Sequence, residues 1–529
     1  MSVIVTQEQA PQRGVLMTTS LVSSLIMLDS NIVAVALPTI ARSLNATFTD
    51  VQWVISAYVL TYAALLLAAG NYADLRGRRK AMLLGLGIFA ASSALCGIAT
   101  TPTLLNTARA IQGVGGALLL TASLAILSHS FVGAARTRAF AFWGASLGVA
   151  LAIGPLAGGL ITNQFGWRWV FLVNVPACAI LIAATLKFIE ESSDPSAKRL
   201  DVLGILTFGC GLAALIWALI DGNDAGWSSR AVLIRLAAAA VLLALFVIVE
   251  LRQPRPMVDF ALFRNSTFLG AVLAMIGYGA SAQVMVFFLP QFLQNSYAFD
   301  PFTAGVGMLP FALPMIIVPR ITSRVAGRVS GRMLLTSGLV VAAIGNVLFW
   351  AVARAALPYT AFVSAMLVAG AAAGVLNGQT VKVLQNAVSE DRVGMASGIA
   401  STTRFIGILV SVAALGAVIS QVAAHTFVQD AVSAGLSQAV AEAASRRVIS
   451  GDVDTALPAS ASAVQTQLHL AAEHAYASGF STAALVAALF AIVSGCLAFR
   501  FVRFEDTQPA QTPRSYDAHC MVVDCRHPL

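Results

Sequence analysis

Residues 28–38 read LDSNIVAVALP, with Asp29 set inside a run otherwise apolar enough to cross a bilayer. A charged side chain near the middle of a membrane costs about 2.5–3.5 kcal/mol on insertion scales, so a carboxylate kept there marks a functional position. The composition of the whole chain agrees that the setting is a membrane. Hydrophobic residues make up 58% and charged residues 11% of the 529, and the mean hydropathy is +0.82, whereas a soluble domain carries roughly 25% charged residues.

Apolar runs of about 17–25 residues, each long enough to span the hydrocarbon core as a helix, recur along almost the entire sequence. Fourteen are predicted. The first six cover Gly14 to Leu37, Gln52 to Ala69, Ala81 to Ile98, Thr103 to Ser128, Ala139 to Ile161 and Val170 to Ile189. A pair follows at Val202 to Ile220 and Ala231 to Val249. The last six cover Phe268 to Phe292, Thr303 to Pro319, Met333 to Val352, Pro358 to Val381, Met395 to Ile419 and Ser481 to Phe499. The fold class expected is therefore an all-α integral membrane protein. Two six-helix bundles, at 14–190 and 265–505, flank an inserted pair at 200–250; an extracytoplasmic loop at 421–480 interrupts the second bundle, and a cytoplasmic tail occupies 506–529. Internal echoes support a duplication: GNYADLRGRRK (70–80) and TSRVAGRVSGRM (322–333) occupy equivalent loops, with Arg328 where Asp74 stands.

The positive charges fix an orientation, because cytoplasmic loops retain Lys and Arg. With the N-terminus inside, 23 of the 32 Lys and Arg fall in inner segments, 7 in outer loops, and Arg109 and Arg404 within helices. Both termini are then cytoplasmic, in a multi-pass protein of the cytoplasmic membrane. The same bias, together with attraction to anionic inner-leaflet lipid, accounts for the net charge of +8 without any nucleic acid. The six cysteines suggest no disulfide framework, with four in helices and Cys520 and Cys525 in the tail, where their spacing with His519 and His527 fits no common zinc pattern. No metal site is expected. No cleavable leader is evident before Arg13. HExxH and GxxxxGK patterns are missing, which speaks against a zinc peptidase and against ATP as an energy source.

Depth relates the two helix-embedded charges of the first block. At 1.5 Å per residue Asp29 lies about 12 Å from the outer end of its helix and Arg109 about 9 Å into the fourth, so the two share a level. Facing each other across an interior cavity would lower the cost of both; a fixed structural ion pair is the alternative. Asp29 shares a helical stripe with Thr18, Val22, Leu25, Val33 and Ala36, while Ser20, Ser24 and Asn31 point away. Arg109 shares one with Gln112, Gly113 and Gly116, a face suited to a cavity wall or a close helix contact. In the fifth run Gly144, Gly148, Ala152, Pro155 and Gly159 lie on one side, a spacing that lets backbones approach, and Gly154-Pro155 permits a bend. In the ninth, Tyr278, Met285, Phe287 and Phe288 offer an adaptable apolar wall, or plain packing.

These stretches carry a family likeness. LDSNIVAVALP, GNYADLRGRRK, NTARAIQGVGGALL (106–119), GVALAIGPLAGGLI (148–161), GWRWVFLVNVP (166–176) and GIASTTRFIGILVS (398–411) resemble the fourteen-spanner drug:proton antiporter family of the major facilitator superfamily, across about residues 14–505. The resemblance implies the major facilitator fold and export of small amphipathic molecules against an inward flow of protons. It casts Asp29 as the protonatable carboxylate and Arg109 as the arginine of proton coupling. Asp74, Gly77 and Arg78 would form a cytoplasmic interlock, and Gly154, Pro155, Gly158 and Gly159 the antiporter bend. Gln112, Arg404, Tyr278 and Met285 are the expected substrate-cavity residues. Two arginines against one buried acid favour neutral, anionic or monocationic cargo over dications. The expected partners are that cargo, protons and the bilayer, with a monomer as the unit and the proton gradient in place of any cofactor. Other readings are a dedicated exporter of an endogenous metabolite, lipid or siderophore, an uptake symporter, and a non-transporting membrane receptor.

Overall fold

The structure, a computed structural model, describes residues 9–194, 201–253, 256–326, 328–389, 392–449 and 465–503; the tail expected at 506–529, with its Cys and His, lies outside them. Among the described residues fourteen helices are long and apolar enough to span a membrane: α1 Gln12–Leu44, α2 Phe48–Arg76, α3 Arg78–Gly97, α4 Pro102–Ser130, α5 Ala135–Phe165, α6 Arg168–Phe188, α7 Val202–Gly222, α8 Arg230–Arg252, α9 Ser266–Ser296, α10 Pro301–Val325, α11 Gly331–Arg354, α12 Tyr359–Asn386, α13 Val393–Ser433 and α14 Thr466–Phe501. No strand occurs among the described residues, as hydrocarbon demands, since only a helix satisfies its own backbone there.

Caps set where several helices start. Thr47 and Asp50 form a reciprocal capping box ahead of α2, and Thr101 followed by Pro102 begins α4. Asp300 accepts from the backbone of Phe302 and Thr303 ahead of Pro301. The Thr303 hydroxyl donates to the same carboxylate and holds it below the usual acidic range. Polar turns like these start the helices ahead of their apolar runs, so several helices outrun the spans read from hydropathy.

Helices α1 to α6 pack on one another, as do α9 to α14, and the two groups meet through α5 with α10, α2 with α13, and α1 with α9. The hairpin α7–α8 lies outside this body, α7 touching both α2 and α13 where the groups join. Helix α8 is the most open to its surroundings, with only 17% of its apolar window covered by protein. An even number of crossings returns the chain to its starting face: Gly14 lies against Phe188 at the end of α6, and Val502 against Gly270 at the start of α9. We call this the terminal face and its opposite the distal face.

Among the described residues of 421–480, α13 runs on to Ser433 with Phe427 and Ala431 buried, a further helix spans Gln438–Ile449, and α14 is under way by Gln465. The alanine-rich composition there propagates the helices past the apolar stretch. The small residues of α5 also serve several surfaces. Gly144 and Gly148 have no neighbour within 4 Å of a would-be Cβ; Gly154 and Gly158 receive α1, at Asn31 and Ile32; Gly159 receives α10.

That last contact is reciprocal and joins the two halves near the distal face. A Cβ at Gly159 would lie 2.3 Å from the Pro301 carbonyl oxygen, and one at Gly305 would lie 2.4 Å from that of Pro155. On the same side Gln294 Nε2 donates to Val35 O at 2.8 Å and Gln52 Nε2 to Val412 O at 3.3 Å. Gly159→Val should therefore force backbones apart and lower the thermal midpoint of the purified protein, at a cost of about 1–3 kcal/mol. Gly148→Val, which meets open space, should leave that midpoint unchanged in the same scan.

Candidate functional site: a closed ion pair beside a cleft

The first six helices enclose a polar centre. Asp29 on α1 is 0% exposed and Arg109 on α4 is 1% exposed, with Arg109 Nη1 2.7 Å from Asp29 Oδ2. The pairing inferred from depth is thus present, although protein rather than a cavity surrounds it. Arg109 Nη1 also lies 2.7 Å from Gln112 Oε1, and its Nε donates to the Val54 carbonyl of α2 at 3.0 Å. Its guanidinium carbon stands 4.2 Å above the Tyr58 ring, an added cation–π attraction.

The other carboxylate oxygen is equally occupied. Asp29 Oδ1 accepts from Gln112 Nε2 at 3.0 Å and from Asn174 Nδ2 of α6 at 2.7 Å. Ser93 Oγ of α3 accepts from both of those amides, at 2.8 and 3.2 Å. Five helices of the first bundle thus converge on one neutral cluster. A buried ion pair in oil survives when the remaining donors and acceptors are also met, and here neighbouring amides and a hydroxyl meet them. Gly113 and Gly116 let α2 and α4 close over the cluster: a Cβ at 113 would stand 2.1 Å from Thr61 Oγ1 and 2.4 Å from the Tyr58 carbonyl. The stripe through Arg109 is a close helix contact.

Between the halves lies a narrow cleft lined by Met27, Ser30, Asn31, Val59, Leu151, Gln283, Val286, Phe287, Phe405 and Ile408. Asp29 looks away from it, and the residues on either side of Asp29 on α1 look into it. Of the expected cavity residues, Gln112 is committed to the ion pair and Met285, 1% exposed, is absent from the lining. A single π turn at Gly279–Gln283 precedes this stretch and alters the phase of the helix after it; of the expected apolar wall Phe287 lines the cleft, together with Val286. Tyr278 is fully buried, and Arg404, part-buried, adjoins the cleft through Phe405.

The loop between α2 and α3 has a built geometry. Gly77 takes a φ of 108° and a Cβ there would lie 2.5 Å from Glu191 Oε1, so glycine is required twice over. Arg78 pairs with Asp74 at 2.9 Å and its N–H donates to Ser192 O. Glu191 accepts from the N–H groups of Arg79 and Lys80, at 3.1 and 3.2 Å, at the start of α3, where the helix dipole favours a carboxylate. These contacts tie the loop to the segment after α6, within the first bundle. Glu191, Asn174 and Ser93 were not singled out from the sequence; an Asn in the apolar run of α6 was the one visible signal.

Comparison with known proteins agrees with this architecture. The sequence profile of the Major Facilitator Superfamily matches residues 19–412. The Multidrug resistance protein Stp of Mycobacterium tuberculosis is 35% identical over 412 residues, 77% of this chain and 75% of that protein. The Methylenomycin A resistance protein of Streptomyces coelicolor is 33% identical over 404 residues, 76% of this chain and 85% of its own. Among solved structures, an inward-facing bacterial homologue of the human lysosomal transporter Spinster superposes with a TM-score of 0.65 over 96% of this chain and 99% of its own, at 15% identity.

Replacing Asn174 by Leu would leave Asp29 Oδ1 with Gln112 as its remaining side-chain donor. A lost bond to a charged group costs about 1.5–3 kcal/mol, and differential scanning fluorimetry should register a lower melting midpoint for Asn174→Leu. An unchanged midpoint would show that the amide contributes nothing to holding the carboxylate.

Proposed function

From its membership of the major facilitator superfamily, which makes this chain a membrane transporter rather than an enzyme, we propose that it exports small amphipathic molecules across the cytoplasmic membrane in exchange for protons. The terminal face, rich in Lys and Arg, is then cytoplasmic. The resistance proteins similar to this chain support drugs or antibiotics as the cargo class.

One observation carries the coupling. Within a turn and a half of α1, Asp29 faces the sealed ion pair while Met27, Ser30 and Asn31 face the cleft. A proton reaching Asp29 cancels the charge that holds Arg109, which then keeps Gln112 and the Val54 carbonyl as its partners. Any turn or tilt of α1 that follows moves the cleft wall on its other face, and Gly154 and Gly158 let the helix slide on α5 without side-chain obstruction. Cargo arriving in the cleft acts on the same helix from the opposite side. The two ligands thus bias one element in opposite senses, as exchange requires.

The driving force is adequate. One elementary charge falling through 100 mV releases about 2.3 kcal/mol, enough to hold roughly a fortyfold gradient of a neutral cargo. Reconstituted into liposomes with a trapped pH-sensitive dye, the wild type should move protons when a transported drug is added. The Asp29→Asn variant should show drug binding without that proton movement; coupling that persists in this variant would remove the assignment.

A further inference from the structure

The charges of the two halves are not balanced alike. In the first, Asp29 and Arg109 neutralise each other. In the second, Arg404 of α13 has, among the described residues, no carboxylate within ion-pair distance. Its Nη1 reaches Asn377 Oδ1 on α12 at a long 3.3 Å, and its Nε is buried without any partner. A guanidinium offers five donors, and one inside a membrane protein without an anion is expensive.

Other polar groups nearby are unmatched too. The hydroxyls of Tyr62 on α2 and Tyr278 on α9 are buried and unpartnered, with the residues 1% and 0% exposed. The Tyr62 ring meets Phe405 edge-on at 4.5 Å, and the Arg404 guanidinium carbon is 5.0 Å from the centre of that same Phe405 ring. Gly279, next to Tyr278, packs on the Arg404 carbonyl, which a Cβ would approach to 2.7 Å. Buried donors left unmet are costly, so unmatched donors on Arg404, Tyr62 and Tyr278, grouped about Phe405 and Gly279, call for a ligand. Phe405 is also a wall of the cleft, whose Met27, Val59, Leu151, Val286 and Phe287 supply an apolar lining beside these donors.

We propose that Arg404, Tyr62 and Tyr278 form an anion-binding subsite, and that the cargo is a lipophilic organic acid: an apolar ring body seated in the cleft and bearing a carboxylate, sulfonate or ionised enol. This rests on the transport reading above and narrows it. The planar fork of Arg404 suits two oxygens of one acidic group, and the hydroxyls complete its shell. A cationic cargo would meet Arg404 with no acid to offset it, and a neutral one would leave the donors unmet.

The test compares two probes with one ring body, anilinonaphthalene sulfonate and the neutral N-phenylnaphthylamine, by titration calorimetry of the protein in lipid nanodiscs with empty discs subtracted. The wild type should bind the sulfonate at least about tenfold tighter. Arg404→Gln should abolish that preference, Arg404→Lys should restore part of it, and Tyr62→Phe, which preserves the packing, should narrow it. Equal affinities in the wild type, tighter binding of tetraphenylphosphonium than of the sulfonate, or a preference intact in Tyr62→Phe and in folded Arg404→Gln would each overturn the proposal. The measurement is made at equilibrium without a proton gradient, so an anion preference can stand even where proton coupling fails, and can fail where coupling stands.

Discussion

A charge in hydrocarbon must bring its own solvent, and the pair of Asp29 and Arg109 organises the first bundle on that rule. The two side chains alone would not be satisfied by each other: a carboxylate has several acceptor sites and a guanidinium five donors. The surplus is absorbed by Gln112, Asn174, Ser93, the Val54 carbonyl and the face of Tyr58. Those partners come from α2, α3, α4 and α6, so one electrostatic requirement fixes the mutual rotation of five helices. Glycines at 113 and 116 follow from it, since α2 and α4 must approach closely to seal the cluster from lipid and water.

The second bundle is built on a different balance. Its centre is aromatic, with Phe292 stacked on Phe362 and Phe480 at 4.7 and 4.3 Å, and its one charge at mid-depth among the described residues is Arg404. A self-neutralised half and a half with an unmatched cation thus face each other across one cleft. The α7–α8 hairpin, touching both halves along α2 and α13, adds a membrane-facing surface at the seam without contributing a residue to the cleft lining.

How far the sequence foretold this depends on the physics of each feature. The helix count was legible because a bilayer imposes a length of about 20 apolar residues and an alternation of basic loops. The Asp29–Arg109 pairing was legible because rise per residue converts position into depth. Orientation of faces was harder: periodicity says that Asp29 and Asn31 diverge, but not which looks toward the cleft, and the structure assigns the cleft to Asn31. The π turn in α9 leaves no mark on composition, and of the expected apolar wall Phe287 lines the cleft while Met285 does not. Glu191 carries no sequence signal beyond being an acid in a basic neighbourhood; its importance comes from Gly77 and from two free N–H groups that only the fold sets before it. The ends of α13 and α14 within 421–480 were hard to place because charged, alanine-rich helix and exposed loop look alike to a hydropathy scale.

The seam of α5 and α10 has one more implication. Where most packed helices mesh knobs of side chain into holes, this contact sets glycine on backbone carbonyl in both directions, at Gly159 with Pro301 and at Gly305 with Pro155. Such a joint is smooth. No side chain fills that contact, so its closeness is set by the two backbones themselves, and even a single methyl group added at Gly159 or Gly305 would have to push one helix off the other.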